Sequence, residues 1–210
     1  MKNYLIPTLV FFVIVLNTHN ISAQEIPEKR NEIGLDVSRI FGHTSNNNIM
    51  YRRHGEKGAF RLTTSFNFNV INHENAESGH NHYASLAVGH QFNKTFNKWR
   101  FYYGADAYGS ISSGKTVNIQ THWYNDQPTE FSQTWQTQSI FFGLRPILGI
   151  SYLISDRISV SLENALNIGY TINETIEGSN PNRPFEIERS SNSIGVSYNP
   201  LNVLMLSFHF

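Results

Sequence analysis

Apolar and polar residues alternate one by one through most of this chain after residue 30. In the stretch 60–70, large apolar side chains fall on the even-numbered positions Phe60, Leu62, Phe66, Phe68 and Val70. Successive side chains of a β-strand point to opposite faces, so a period of two predicts strands with one apolar and one polar face. A helix would space its apolar residues three and four apart. The alternation therefore predicts an all-β fold.

The alternating segments predict eight strands, at 31–41, 48–54, 59–71, 82–92, 99–112, 136–154, 158–174 and 188–210. After a short first loop, tight connections at 55–58, 93–98 and 155–157 alternate with long ones at 72–81, 113–135 and 175–186. Short turns on one rim and long loops on the other are typical of an outer-membrane barrel, whereas a soluble sandwich has no reason to sort its loops. Two prolines, Pro146 and Pro200, each predict a bulge or an end of regular pairing within the sixth and eighth strands, and at Pro200 a bulge is preferred.

The first residues have the pattern of a secretory signal peptide. Lys2 precedes an apolar run at 4–16, and the small residues Ser22 and Ala23 follow it. This run of 13 residues is shorter than the ~20 residues that a membrane-spanning helix needs. We predict a signal peptide at 1–23, a short periplasmic arm at 24–30 and a barrel domain at 31–210.

Charge and cysteine content exclude several classes of function. Sixteen basic residues balance sixteen acidic ones, which argues against a nucleic-acid partner because such a partner requires a basic surface. The chain has no cysteine, so it has neither a disulfide framework nor a cysteine-based metal site. We expect no cofactor.

The last strand carries the most specific pattern in the sequence. Apolar residues alternate up to a terminal phenylalanine, at Leu204, Leu206, Phe208 and Phe210. This resembles the C-terminal signal of outer-membrane barrels, although Phe208 stands where that signal often has tyrosine. Over residues 31–210 the chain resembles the small OmpA/OmpX-type barrel family. The resemblance implies an eight-stranded antiparallel up-and-down transmembrane β-barrel in the outer membrane. It also implies contacts with outer-membrane lipid and lipopolysaccharide, and recognition of the last strand by the barrel assembly machinery.

The polar faces of the predicted strands carry charged residues that would point into the barrel. They are four acidic and four basic residues: Glu32, Asp36, Arg52, Arg61, Arg100, Asp106, Arg145 and Glu163. Charges in a narrow lumen of low dielectric must pair, and an eight-stranded barrel is only wide enough for side chains. We therefore expect a structural polar plug, with a gated ion path through exchanging salt bridges as the alternative.

Histidines suggest two further kinds of site. His73, His80 and His82 are weak candidates for zinc ligands, since their spacing matches no ligand motif. Some small outer-membrane barrels are lipid-modifying enzymes that use a His and a Ser, and His43 and Ser45 have these types. They stand in a polar run with no third orienting group. His209, on the last strand, has no apparent serine partner. We expect no enzymatic activity.

Aromatic residues are concentrated in the predicted loop 113–135, at Trp123, Tyr124, Phe131 and Trp135. Exposed aromatic rings among adaptable polar residues are good anchors for an extracellular protein or glycan partner. The rings could equally pack together or form part of an interfacial belt. The sequence thus predicts a non-enzymatic outer-membrane protein with a structural or surface-binding role. A narrow pore for small solutes and a lipid-modifying enzyme are the alternatives.

Overall fold

The computed structural model describes residues 30–38, 47–72, 77–124, 127–179 and 185–210. The predicted signal peptide at 1–23 and all but the last residue of the arm at 24–30 lie outside these ranges. The described residues form strands joined by turns: β1 Asn31–Asp36, β2 Asn47–His54, β3 Gly58–Asn72, β4 Glu77–Phe96, β5 Trp99–Tyr124, β6 Gln127–Ser155, β7 Ile158–Ser179 and β8 Phe185–His209.

Each strand pairs antiparallel with the next along the chain, and β8 pairs with β1. The sheet is therefore a closed antiparallel ring, and the all-β prediction is confirmed. On β1, Glu32 lies opposite Arg52 of β2 on one side and opposite His209 of β8 on the other. Among the residues that the structure describes, no helix is long and apolar enough to span a bilayer.

The tight turns lie on one rim of the ring, which we call the lower rim. They connect β2 to β3, β4 to β5 and β6 to β7. Between β4 and β5 only Asn97 and Lys98 intervene, and Asn97 has a positive φ of 54°. Asparagine tolerates this left-handed conformation better than most residues, which suits it to so short a hairpin. At the same rim, the Phe210 N–H donates to the Asn31 carbonyl oxygen at 2.9 Å.

At the opposite, upper rim the strands are longer than the alternation predicts. The predicted loops at 72–81, 113–135 and 175–186 are wrong for most of their length: β5 continues to Tyr124, and β6 begins at Gln127. The two strands stay paired up to this tip, where Trp123 lies opposite Pro128. Apolar residues are sparse in these segments, with Val117 and Ile119 set among Ser, Thr, Asn and Gln, so the one-sided apolar pattern is not sustained. Inter-strand hydrogen bonds and residues such as Thr, Tyr and Trp still favour strands there.

The two prolines differ in their effect on the register. Pairing between β7 and β8 shifts between Glu163 and Ala165, opposite 199–203, so the predicted irregularity at Pro200 is confirmed. At Pro146 there is no bulge, because β5 and β6 stay in register with Ala105 opposite Pro146, and the other predicted effect, a loss of regular pairing, is seen on the β7 side. The pairing of β6 with β7 omits positions 145 and 146 without any change of register. The proline therefore removes ladder contacts but does not displace the strand.

The two faces of the ring have the reverse polarity of a soluble domain. On β3, Leu62 and Phe68 point outward and are exposed, whereas Arg61 and Ser65 point inward and are buried. Most of the largest fully buried side chains in the described residues are polar or charged: Arg52, Arg61, His209, Gln91, Glu32 and Asp106 belong to this set. Soluble proteins almost never bury Arg and Glu completely unless they are paired. The interior, rather than the outer surface, therefore carries the candidate site.

Candidate functional site in the closed interior

Glu163 on β7 is the centre of the upper part of the interior charge network. Arg61 on β3 donates to both of its oxygens, with Nη1 2.9 Å from Oε2 and Nη2 2.8 Å from Oε1. Arg52 Nη2 and the Tyr102 hydroxyl each donate to Oε2 at 3.2 Å. Arg145 Nη2 lies 3.7 Å from Oε1. A two-pronged arginine contact of this kind is among the strongest polar interactions that proteins form.

Glu32 on β1 is the second centre, nearer the lower rim. Its Oε1 accepts from Arg52 Nη1 at 3.0 Å, and its Oε2 lies 2.7 Å from His54 Nε2. Arg100 Nη1 donates to the same Oε2 at 3.2 Å. His209 Nδ1 is 3.9 Å from this oxygen. Because Arg52 contacts both Glu32 and Glu163, the two centres form one continuous network.

Tyr102 on β5 lies across the interior between the two centres. The Arg52 guanidinium stands over its ring, 4.5 Å from the centroid, which is within cation–π distance. The ring fits there because the facing position on β6 is a glycine: a Cβ on Gly149 would come within 2.1 Å of the ring carbon Cζ. Any side chain at 149 would displace Tyr102. This close approach explains the glycine at a position paired on both sides.

Asp106 on β5 is fully buried but poorly satisfied. Its Oδ1 lies 3.1 Å from Arg61 Nε, yet neither carboxylate oxygen receives a well-aligned hydrogen bond from the described residues. Above it, Arg145 stands over the Tyr108 ring at 5.5 Å, and the hydroxyls of Tyr83 and Tyr108 are 2.6 Å apart. Asp106 therefore interacts through charge attraction rather than directed hydrogen bonds.

The structure brings together seven of the eight predicted interior charges, and Asp36 stands apart from them. Asp36 is only half-buried. Its carboxylate accepts from the Ser38 backbone N–H at 2.9 Å and from Asn48 Nδ2 at 2.6 Å. Its partners are thus local polar groups near the end of β1 rather than arginines.

Sequence reasoning did not name Tyr102 as a member of the network, and it also missed two histidines, His54 and His209. His54 follows Arg52 by two positions, so the period of two places both on the inner face. His209 alternates with the outward-facing Phe208 and Phe210, so the sequence pattern also predicts that its side chain points inward. The prediction that His209 lacks a serine partner is wrong, because its Nε2 lies 2.8 Å from Ser159 Oγ on β7. Adjacent strands bring the two together from positions distant in sequence.

Ser159, His209 and Glu32 superficially resemble a nucleophilic triad. The His209 Nδ1 to Glu32 Oε2 separation of 3.9 Å is too long for a hydrogen bond. Ser159 and Glu32 have no exposed surface, so a substrate would have to enter the packed interior to reach the hydroxyl. The arrangement does not support nucleophilic catalysis. The earlier pair, His43 and Ser45, lies outside the described residues.

Of the predicted metal-binding histidines, His80 and His82 lie on the same face of β4 with ring centroids 4.9 Å apart. Both are exposed, and the side chain of His73 lies outside the described residues. Within the described ranges, the group of His and carboxylate side chains that converges closely enough to hold a metal ion is Glu32, His54 and His209. The structure thus places the metal-competent cluster inside the ring.

The predicted binding loop is instead the upper part of the β5–β6 hairpin, which carries Trp123, Tyr124, Phe131 and Trp135. Of the four side chains only that of Trp135 is described, and it is partly exposed. In the last strand, Leu206, Phe208 and Phe210 are exposed on the outer face, and Leu204 alternates with them there. The Phe208 and Phe210 rings stack with centroids 6.4 Å apart.

Comparison with known proteins identifies no relative. No protein-family model matches the chain, and no curated protein or solved structure is significantly similar to it. A functional assignment therefore depends on the fold and on the geometry of the interior and of the long strands.

Proposed function

We propose that this protein is a non-enzymatic outer-membrane β-barrel whose lumen is sealed and whose upper strands bind a partner at the cell surface. The outer face is apolar and the interior is polar and paired, which supports a membrane location. Lipid hydrocarbon accommodates apolar side chains and excludes polar ones. The closed ring leaves no unpaired strand edge near the lower rim. This is the arrangement that a sheet needs within a bilayer.

The packed interior argues against the narrow-pore alternative. Arg52, Arg61, Tyr102 and Glu32 are each at most 1% exposed, so no continuous path for water runs beside them. An ion would have to break several charged contacts to pass. A structural plug therefore explains the network more simply than a conduction pathway does.

We expect the refolded protein to give no reproducible unitary conductance in a planar lipid bilayer. Heat-dependent gel migration should first establish that the sample is folded. A stable conductance that changes in Asp106→Asn or Arg100→Gln would contradict the plug and favour the channel. The matched control is Lys115→Gln, which removes an exposed charge from the upper part of β5.

Strand length is the observation that carries the surface-binding role. A transmembrane strand needs about 9–11 residues. The strands β5 to β8 have 26, 29, 22 and 25 residues. At ~3.3 Å per residue and a tilt of ~40°, the longest would rise on the order of 70 Å, against an apolar band of ~25 Å. The excess would stand above the membrane as a sheet, which we call the upper sheet.

One edge of the upper sheet has no partner among the described residues. On β8, pairing with β1 begins at Met205, and the Val37 N–H donates to the Leu204 carbonyl oxygen. From 185 to 199, β8 is paired with β7 on its other side, and no described residue pairs with the opposite edge of this stretch. The side chains at 187–198 are all exposed. An unpaired edge of this length is a template for another strand.

The partner that suits this edge is an extended segment of a different protein, bound by β-augmentation. A second copy of this chain is less suitable. Two copies inserted in one membrane point the same way, so their β8 strands would have to pair in parallel. A foreign segment is free to run antiparallel, which is the more stable arrangement per residue.

We expect alternate backbone amides at 187–198 to exchange hydrogen rapidly in the folded protein, because those that face the free edge have no acceptor among the described residues. A short synthetic peptide of alternating threonine and valine, with a lysine at each end, should slow this exchange. The same peptide with proline at every third position should not, since proline cannot donate to a ladder. Mass spectrometry of the digested protein measures both effects.

Amides of β6 at 140–144 and 147–150 are paired on both sides and serve as the internal control. They should stay protected with either peptide. Uniform protection of 187–198 before any peptide is added would show that the edge is already covered. Equal protection by both peptides would show that backbone pairing is not the mode of binding. Either result would contradict the surface-binding proposal.

A further inference from the structure

Three potential ligand atoms converge inside the ring near the lower rim. They are Glu32 Oε2, His54 Nε2 and His209 Nδ1, which all lie within 4.8 Å of one another. The three side chains come from the adjacent strands β1, β2 and β8, and all are buried. Two imidazoles and one carboxylate are a ligand set that zinc and related divalent ions use.

Two of the three ligands have their other polar atom held by a neighbouring group. Arg52 Nη1 holds Glu32 Oε1 at 3.0 Å, and Ser159 Oγ lies 2.8 Å from His209 Nε2. Such outer contacts orient imidazole and carboxylate ligands in metal sites, and they leave one atom of each of these two groups directed at the shared centre. Asn93 Nδ2 lies 3.4 Å from His54 Nδ1, but an amide N–H can only donate, so this contact must change when His54 binds a metal through Nε2.

We propose that Glu32, His54 and His209 form a binding site for a divalent transition-metal ion of the zinc class. A tetrahedral ion with ligands ~2.1 Å away needs ligand atoms about 3.4 Å apart. The observed separations from Glu32 Oε2 are 2.7 Å to His54 Nε2 and 3.9 Å to His209 Nδ1. Small side-chain rotations would bring both to the required value.

Arg100 contacts two of the three ligand atoms of this cluster. Its Nη1 lies 3.2 Å from Glu32 Oε2 and 3.3 Å from His54 Nε2, between two of the three ligand atoms. The guanidinium is a permanent cation, so it competes with a metal ion for the same carboxylate. The metal must displace Arg100 to bind. Neutralising this arginine should therefore strengthen metal binding, which a purely structural role for the cluster does not predict.

The test is titration of refolded, chelator-treated protein in detergent micelles with zinc chloride and, separately, with cobalt chloride. Calorimetry should give one equivalent of zinc bound. Cobalt should give the visible absorption of a tetrahedral complex. Arg100→Gln should bind at least tenfold more tightly than the parent protein, and His54→Gln at least tenfold more weakly.

The double variant His80→Gln/His82→Gln is the matched control, because these histidines are exposed on β4 and lie outside the cluster. It should bind zinc as the parent protein does. Loss of binding in this control would transfer the site to β4 and overturn the proposal. Absence of binding in both the parent protein and Arg100→Gln would also overturn it. Because Arg100→Gln is expected to gain affinity, misfolding cannot imitate the predicted result.

Discussion

Replacing Glu163 by glutamine should lower the free energy of unfolding by about 3–5 kcal/mol, since this is the typical effect of removing one partner of a buried ion pair. Glutamine keeps the size of the side chain but removes its charge. Arg61 and Arg52 would then remain buried beside a neutral amide, and Arg145 would lose its nearest carboxylate. Urea unfolding of the protein refolded into lipid vesicles measures the loss.

Glu174→Gln is the matched control on the same strand. Glu174 is exposed, so its replacement should change the free energy of unfolding by no more than about 0.5 kcal/mol. Combining Arg145→Gln with Glu163→Gln should recover part of the loss, because Arg145 has its ion pair with Glu163 and would otherwise remain as an uncompensated charge. Equal stability of Glu163→Gln and the parent protein would show that the network does not stabilise the ring.

Replacing Leu62 by arginine should destabilise the folded protein in lipid vesicles by about 2–4 kcal/mol, as expected for arginine on the lipid-facing side near the middle of a bilayer. Leu62 points outward from β3, four residues above the start of the strand at Gly58. In a soluble protein the same exposed position would accept arginine with little effect. The variant therefore tests whether this face contacts lipid.

Val70 provides a control on the same strand and the same face. It lies eight residues further along β3 and is 66% exposed. That spacing is about 26 Å along a strand, enough to carry it past the apolar band if the upper sheet stands above the membrane. Val70→Arg should then be nearly neutral. Equal effects at the two positions would contradict either the membrane location or the protruding sheet.

The period of two carried most of the information that the sequence held about the fold. It is a geometric property of strands, so it predicted the inward direction of Arg61, Arg100 and Glu163 without knowledge of the pairing. It could not predict the extent of β4 to β8 at the upper rim, because apolar residues are too sparse there to give a sustained alternation. Those strands are defined by pairing with neighbours, which a local pattern does not contain.

The contacts within the site were harder to predict than its members. Glu163 and Arg61 are 102 positions apart, and their contact depends on the closure of the ring and on the register of each strand. Ser159 and His209 meet across 50 positions because of the register of the adjacent strands β7 and β8. Asp36 shows that knowing the face of a charged residue does not identify its partner. It lies near the end of β1, where its carboxylate accepts a hydrogen bond from Asn48 rather than from an arginine. Whether a residue number is odd or even predicts which face of the strand its side chain is on. It does not predict how far along the barrel axis the side chain lies.

The interior network also has a consequence for how the protein folds. Its contacts join strands that are not neighbours: β1 to β5 through Glu32 and Arg100, and β3 to β7 through Arg61 and Glu163. In an open sheet these contacts across the ring could not form, although Glu32 would still lie opposite Arg52 on the neighbouring strand. The energy of the contacts across the ring therefore becomes available only when β8 meets β1. Insertion and closure should thus occur as one cooperative step, with a slow rate set by contacts of long sequence separation.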